Sequence, residues 1–207
     1  MTHRIGIDMG GTKIEAAVLD PGGGILIRQR IPTRQELGYD SILDRVAGLY
    51  RAVWEEAGRP DHTLGIGTPG AVSPRTGLLK NSNTLCLNGR PFRSDLEARV
   101  GRAVAMENDA NCFALAEARL GAGRGARMVF GVIMGTGCGG GLVIEGNVWT
   151  GHQAIGGEWG HMSIDPLGPV CYCGRRGCVE TFISGGGLER RWRETHGVAR
   201  ALPDIVA

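Results

Sequence analysis

Met106-Glu107-Asn108-Asp109-Ala110-Asn111-Cys112 lies between two copies of one glycine-rich pattern, and that placement decides how the chain is read. Upstream is Ile5-Gly6-Ile7-Asp8-Met9-Gly10-Gly11-Thr12-Lys13. Downstream, offset by 125 positions as from Gly6 to Gly131, is Phe130-Gly131-Val132-Ile133-Met134-Gly135-Thr136-Gly137-Cys138. Each copy is an apolar run, a Gly/Thr turn and a second apolar run, the pattern of a strand, a tight turn and a returning strand. A duplicated hairpin with an acidic, amide-rich segment between the copies predicts two lobes facing one cleft.

Working outward, Arg4 to Asp8, Ile14 to Leu19 and Ile25 to Ile31 read as three consecutive strands of a β-meander. Ser41 is expected to cap a helix carrying Ile42, Val46, Leu49 and Val53, closed by Gly58 and Pro60. Leu64 to Gly67 reads as a short buried strand. The polar span from Ser73 to Pro91 reads as a long loop, a length that is usually functional or mobile. A helix from Ser94 to Val100, a strand from Ala103 to Met106 and a helix from Ala110 to about Leu120 follow. The meander restarts at Met128, a loop-rich insert runs from Gly151 to Cys178, and a helix follows Ser184. Two meanders with intervening helices imply α/β layers.

The 207 residues are 42% hydrophobic, which supports one large domain or two small ones. The division is expected at 117/118, with an insert at 151–180 in the second lobe. A net charge of +2 favours neither a nucleic-acid nor a membrane partner. There is no signal-peptide pattern and no apolar run of bilayer length, so a cytoplasmic protein is expected. The 36 glycines cluster at turns, suiting a backbone that approaches a ligand closely. Of six cysteines, Cys171, Cys173 and Cys178 are bunched and Cys86, Cys112 and Cys138 scattered, a metal-site spacing that fits a reducing compartment.

Three constellations carry chemistry. In Asp8-x-Gly-Gly-Thr-Lys, glycines let backbone N–H groups point at an anion, Thr12 adds a donor, and Asp8 is placed to hold Mg²⁺ near phosphates. An ordinary hairpin turn is the alternative. The second copy, with five glycines in the seven positions from Gly135 to Gly141, exceeds what a turn requires. It has Ile133 where the first copy has Asp8. Asn108 and Asp109 stand between a strand and a helix, where α/β folds place ligands. Asn108 can donate and accept, while Asp109 accepts a proton or simply caps the helix. Finally, His161 with Cys171, Cys173 and Cys178 makes a Cys₃His set suited to tetrahedral, structural Zn²⁺, against the alternative of free loop thiols. Glu158 and Glu180 bracket that set as acceptors for a polyol.

Cys171-x-Cys-Gly-x-x-Gly-Cys-x-Glu-x-x-x-Ser-Gly185, with Glu107-Asn108-Asp109-Ala110-Asn111, resembles the ROK family of bacterial sugar kinases and repressors. The resemblance runs from Gly6 to about Gly185. It implies the two-lobed actin-like, ribonuclease H-like α/β ATPase fold, with the second lobe incomplete. Lys80-Asn81-Ser82-Asn83 and Leu87-Asn88-Gly89-x-Pro-Phe92 are similar to the fructokinase and mannokinase branch. N-acetylglucosamine and glucose kinases are the competing specificities, and a non-catalytic sugar-sensing module is the rival from another class.

By position, the resemblance makes Asp109 the general base that deprotonates a hexose hydroxyl, most simply the 6-OH, attacking the γ-phosphate of ATP. Asn83, Asn108, Glu158, His161 and Glu180 would join Asp109 in holding the sugar. Gly6, Asp8, Gly10, Gly11, Thr12 and Lys13, with Gly135, Thr136, Gly137, Cys138, Gly139 and Gly140, would hold the nucleotide, and Mg²⁺ would sit near Asp8. His161 would also link the zinc loop to the sugar. Family repressors carry an N-terminal helix-turn-helix, for which Asp8 comes too early. Family kinases continue through further helices and a Gly-Gly-Gly segment at the adenosine end. Family members usually pair, and Trp149, Trp159 and Trp192 are offered as contributors to a homodimer contact.

Overall fold

The computed structural model describes residues 2–207 and divides into two compact units, Met1–Asp109 and Ala110–Ala207. The division falls eight residues before the position read from sequence, because the helix after Asp109 packs on the second meander.

The first unit is built on a five-stranded sheet. Strands β1 (His3–Met9), β2 (Lys13–Leu19) and β3 (Ile25–Pro32) form the meander. β4 (His62–Thr68) and β7 (Ala105–Asn108) extend it in the order β3-β2-β1-β4-β7. The meander pairs are antiparallel, and β1–β4 and β4–β7 are parallel. Alternation along β1 and β2 sends Ile5, Ile7, Met9, Ile14, Ala16 and Val18 to one face, where all are buried. Helix α1 (Tyr39–Glu56) covers that face with Ile42, Leu43, Val46, Ala47, Tyr50 and Val53. Each such side chain contributes about 1.5–3 kcal/mol by leaving water. The helix begins before Ser41: Gly38 at φ 85° turns the chain in, and Ser41 lies inside the first turn.

The span read as a long loop is structured. β5 (Ala71–Val72) pairs with β6 (Leu79–Lys80), and a 3₁₀ turn covers Leu85–Leu87. Gly70 makes this possible, since a Cβ there would lie 2.4 Å from the Lys80 carbonyl oxygen. α2 (Phe92–Val100) then buries Phe92 and Leu96 in the same core.

The second unit starts with α3 (Asp109–Leu120, of which Ala110 onward belongs here) and an antiparallel sheet in the order β10-β9-β8. Its strands are β8 (Met128–Met134), β9 (Cys138–Ile144) and β10 (Asn147–Val148). The internal repeat is therefore a repeat of meanders. The insert follows, then α4 (Glu180–Ile183), α5 (Gly185–His196) and α6 (Leu202–Val206). Ser184 caps α5 by accepting from Gly187 N–H at 3.0 Å. No helix among the described residues is long and apolar enough to cross a membrane.

At the far end of β4, His62 is buried. Its Nδ1 is 2.9 Å from the Pro60 carbonyl, so Nδ1 carries the proton and Nε2 faces Tyr50 Oη at 3.2 Å and the Arg102 guanidinium. Burial first, and the Arg102 charge against it, hold the His62 pKa below its ordinary 6.5. The unfolded chain therefore binds the extra proton first as pH falls. Stability is complete above about pH 6.5 and declines below it towards the folded-state value. Urea unfolding midpoints should fall between pH 7.5 and pH 5, and His62→Gln should flatten that decline.

Candidate functional site

In the first unit, β1 delivers Asp8 to the rim of a tight turn. Gly10 N–H donates to Lys13 O at 2.9 Å, and Thr33 ties the turn from behind, its hydroxyl donating to Gly10 O at 2.6 Å and its N–H to Thr12 O at 2.9 Å. The N–H groups of Gly11 and Thr12 take no partner among the described residues. That is the arrangement an anion needs: adjacent amides, one hydroxyl and the Lys13 ammonium. Gly6 lies inside β1, paired with Ala17 and Gly65, well before the turn that its assignment to the nucleotide would require. Burial, and next the Glu15 carboxylate facing it across the strand pair, raise the Asp8 pKa. Glu15 is itself held by Arg28 and Arg30, each with Nε 2.6 Å from a carboxylate oxygen. A cation beside Asp8 would favour its carboxylate form and lower that pKa again.

The segment carrying Asn83 is braced by a residue that the sequence reading left without a role. Asn88 accepts from Ser82 N–H at 2.8 Å and donates to Ser82 O at 2.9 Å. This brings Asn83 beside Gly11, where a Cβ would lie 3.8 Å from Asn83 Oδ1. The signal in the sequence was Asn88's place in the Leu87-Asn88-Gly89-x-Pro-Phe92 run, shortly after Lys80-Asn81-Ser82-Asn83. Asn108, at the end of β7, is buried and donates to Gly70 O at 3.0 Å. Asp109 follows it, exposed, as the first residue of α3. Asn108 and Asp109 thus stand at the carboxyl end of a parallel strand, next to the turn that closes β4.

In the second unit, the four predicted metal donors converge. The ligand atoms of His161, Cys171, Cys173 and Cys178 lie within 4.8 Å of one another. Cys173 and Cys178 sulfurs are 3.6 Å apart, and Cys171 Sγ is 3.5 Å from His161 Nδ1. A tetrahedral ion with sulfur at about 2.3 Å sets its sulfurs about 3.8 Å apart, so the spacing suits such an ion. His161 Nε2 lies 3.0 Å from the Tyr172 hydroxyl, a partner the sequence reading missed although Tyr172 stands between two of the cysteines. Burial, and next Glu180, push the Tyr172 phenol up to about 12. Desolvation raises the Cys173 thiol, but hydrogen bonds from Arg175, Cys171 and Cys178 outweigh it and bring it down to about 6. Cys178, desolvated and donating to Cys173, is pushed up to about 12.

Glu180, two residues past Cys178, joins this cluster to the second glycine turn: its Oε2 accepts from Cys138 N–H at 3.0 Å. Burial, then the Glu180 carboxylate, raise the Cys138 pKa. Glu158 is exposed, directly before the 3₁₀ turn Trp159–His161. Gly139 and Gly140, which the resemblance assigns to the nucleotide, lie within β9. A Cβ on Gly139 would lie 3.7 Å from Ala110 Cβ, and one on Gly140 2.8 Å from the Trp159 ring. Gly135 and Gly137 remain at the turn, where Gly135 N–H donates to Gly137 O at 2.9 Å.

Residues 4–203 match the sequence profile of the ROK family. The chain belongs to this family. The N-acetyl-D-glucosamine kinase of Escherichia fergusonii is 38% identical over 98% of the chain and 69% of its own length. The crystal structure of a ROK hexokinase from Thermus thermophilus superposes with a TM-score of 0.84 at 38% identity, covering 96% of this chain and 66% of that one. A ROK glucokinase from Streptomyces griseus, solved with glucose and AMPPNP, gives 0.77 at 33% identity, over 94% and 62%. The chain therefore spans about two thirds of the length of its ROK relatives, and the actin-like fold expected from sequence is the fold it shares with them.

The ROK cysteine signature places its two glycines differently. Gly177 has φ 60°, and a Cβ there would lie 1.7 Å from the Asp165 carbonyl oxygen; Gly174 has φ 88° but opens on free space. Gly177→Ala should cost at least about 2 kcal/mol, combining the left-handed backbone with a backbone clash, whereas Gly174→Ala should cost about 1 kcal/mol. Thermal unfolding of the two variants checks the contrast.

Proposed function

We propose that the chain carries the acceptor and phosphate-binding parts of an ATP-dependent hexose kinase. The observation that supports this best is Asp109 exposed at the head of α3, directly after the buried Asn108 at the end of β7. In this reading Asp109 accepts the proton of a sugar hydroxyl as its oxygen attacks the γ-phosphorus. The bond to the bridging oxygen breaks and ADP leaves. Phosphoryl transfer of this kind needs chiefly alignment and charge stabilisation.

The Gly10 to Lys13 turn and the Gly135 to Gly137 turn supply amides to the donor's phosphates. Mg²⁺ near Asp8 would neutralise phosphate charge. Asn83, Asn108, Glu158, His161 and Glu180 supply hydroxyl partners to the sugar. His161 Nδ1 and the three thiolates would hold Zn²⁺ in a structural role, since four protein donors leave no position for substrate. Likeness to the Escherichia fergusonii enzyme supports N-acetylglucosamine as acceptor ahead of the fructose or mannose suggested by the Asn-rich segment.

A coupled assay with ATP and a panel of N-acetylglucosamine, fructose, mannose and glucose tests the reading. Phosphorylation of none of them, with sugar binding retained by calorimetry, would leave a sugar-binding module instead. Asp109→Asn should lower kcat by about 10²–10⁴-fold with little change in KM for the sugar. A variant with near-normal kcat removes Asp109 as the base. For the metal, elemental analysis should find about one zinc per chain in the native protein and loss of it in Cys173→Ser. Unchanged zinc in that variant refutes the ligand set.

A further inference from the structure

Thr84 follows Asn83 directly, yet Asn83 is exposed and Thr84 is fully buried. It stands before the 3₁₀ turn Leu85–Leu87, at the N-cap position where a threonine hydroxyl ordinarily accepts a backbone N–H. Here it makes no such bond, and Thr84 Oγ1 has no hydrogen-bond partner among the described residues. The backbone of the residue is committed on both sides. Its N–H donates to Ser82 Oγ at 3.1 Å, and its carbonyl accepts from Leu87 N–H at 3.0 Å. A buried hydroxyl without a partner has given up its hydration for nothing, which is why nearly all such groups are paired.

The unpaired hydroxyl faces the Gly10 to Lys13 turn. A Cβ on Gly11 would lie 3.5 Å from Thr84 Oγ1 and 3.8 Å from Asn83 Oδ1, and apart from its chain neighbours it would meet nothing else within 4 Å. Both side-chain oxygens therefore converge on the residue whose N–H, with that of Thr12, is unspent. A side chain at position 11 would fill the space between turn and hydroxyl. The other unpaired buried side-chain group of the first unit, among the described residues, is Thr68 Oγ1. Thr68 ends β4 one residue past Gly67, the sheet partner of Asp8. Unpaired hydroxyls in this unit are thus confined to the surroundings of the Asp8 to Lys13 turn.

We propose that the Thr84 hydroxyl is a catalytic ligand of the phosphoryl group in transfer, donating to a non-bridging oxygen of the donor's terminal phosphate as that phosphate occupies the Gly10 to Lys13 turn. The inference rests on the proposed phosphotransfer and adds a donor-side residue to it. The hydroxyl is shielded from solvent, so the contact forms as Gly11 yields to the phosphate. Because Asn83 is the preceding residue, one braced dipeptide then touches acceptor and donor together and aligns them. Thr84 keeps its proton throughout. It stabilises negative charge on the phosphoryl oxygens, while the proton of the sugar hydroxyl passes to the general base.

The test places native protein beside Thr84→Val, which keeps the shape and removes the hydroxyl, and Thr84→Ser, which keeps the hydroxyl, in the coupled assay with ATP and the hexose panel. Thr84→Val should lose about tenfold or more in kcat, the size of one hydrogen bond to a charged oxygen, with KM for the sugar within about twofold of native. Its thermal midpoint should equal or exceed the native one, since the hydroxyl removed had no partner. Thr84→Ser should restore most of the rate. A valine variant with native kcat overturns the proposal, as does a serine variant as slow as the valine one, which assigns the effect to packing of the methyl group. Should native protein transfer to none of the sugars, the proposed acceptor reaction fails, and calorimetry with ATP and Mg²⁺ decides the site separately. Binding at least about fivefold weaker in Thr84→Val than in both native protein and Thr84→Ser supports it; binding that is absent, or equal in all three, overturns it.

Discussion

Backbone packed directly on backbone is the constraint from which the second unit follows. A Cβ on Gly141 would lie 2.7 Å from Ala110 O and 2.8 Å from Ala114 Cβ, and one on Gly131 2.7 Å from Ala114 Cβ. α3 therefore lies on a sheet surface paved with glycine. The insert reaches β9 at equally close range. A Cβ on Gly157 would lie 2.6 Å from Gly140 O, and one on Gly160 2.0 Å from Cys138 O. Trp159 completes the contact by donating from its indole N–H to Gly139 O at 2.7 Å. Most of the glycine excess in this stretch thus serves protein packing.

The same economy of distance holds the chemistry in place. Glu180 follows closely after Cys178, so a metal-braced loop would orient a carboxylate whose other commitment is the Cys138 amide. Tyr172, held protonated by burial, meets the second nitrogen of His161. In the first unit the equivalent bracing is polar and local: Thr33 behind the Gly10 to Lys13 turn, and Asn88 closing the loop that carries Asn83. Ordered amides and hydroxyls of this kind act at full strength because they need no rearrangement when a ligand arrives.

Much of this was legible in the residues. Alternating apolar runs around Gly/Thr turns marked both meanders, because strand burial has period two and leaves a direct imprint. The Cys171, Cys173, Cys178 spacing with His161 marked a donor set that the fold does bring together. Other readings failed for definite reasons. Ser41 looked like a cap, but Gly38 reaches a backbone conformation that lets the helix begin earlier. The span after Ser73 looked like an unstructured loop because its order comes from Gly70 against Lys80 and from Asn88 against Ser82, contacts between residues without local periodicity. For Gly139 and Gly140, assigned with the nucleotide by resemblance, composition does not record that both stand within β9.

The sequence by itself determined the duplicated meander, the family and the identity of the metal-type donors, since each is written in local spacing or in side-chain chemistry. The tertiary structure alone decided which glycines admit a helix against the sheet and which stand at a turn. It also decided that Glu189 caps α6. Those outcomes depend on distances between segments far apart in the chain, and a distance through space has no signature in one segment read alone.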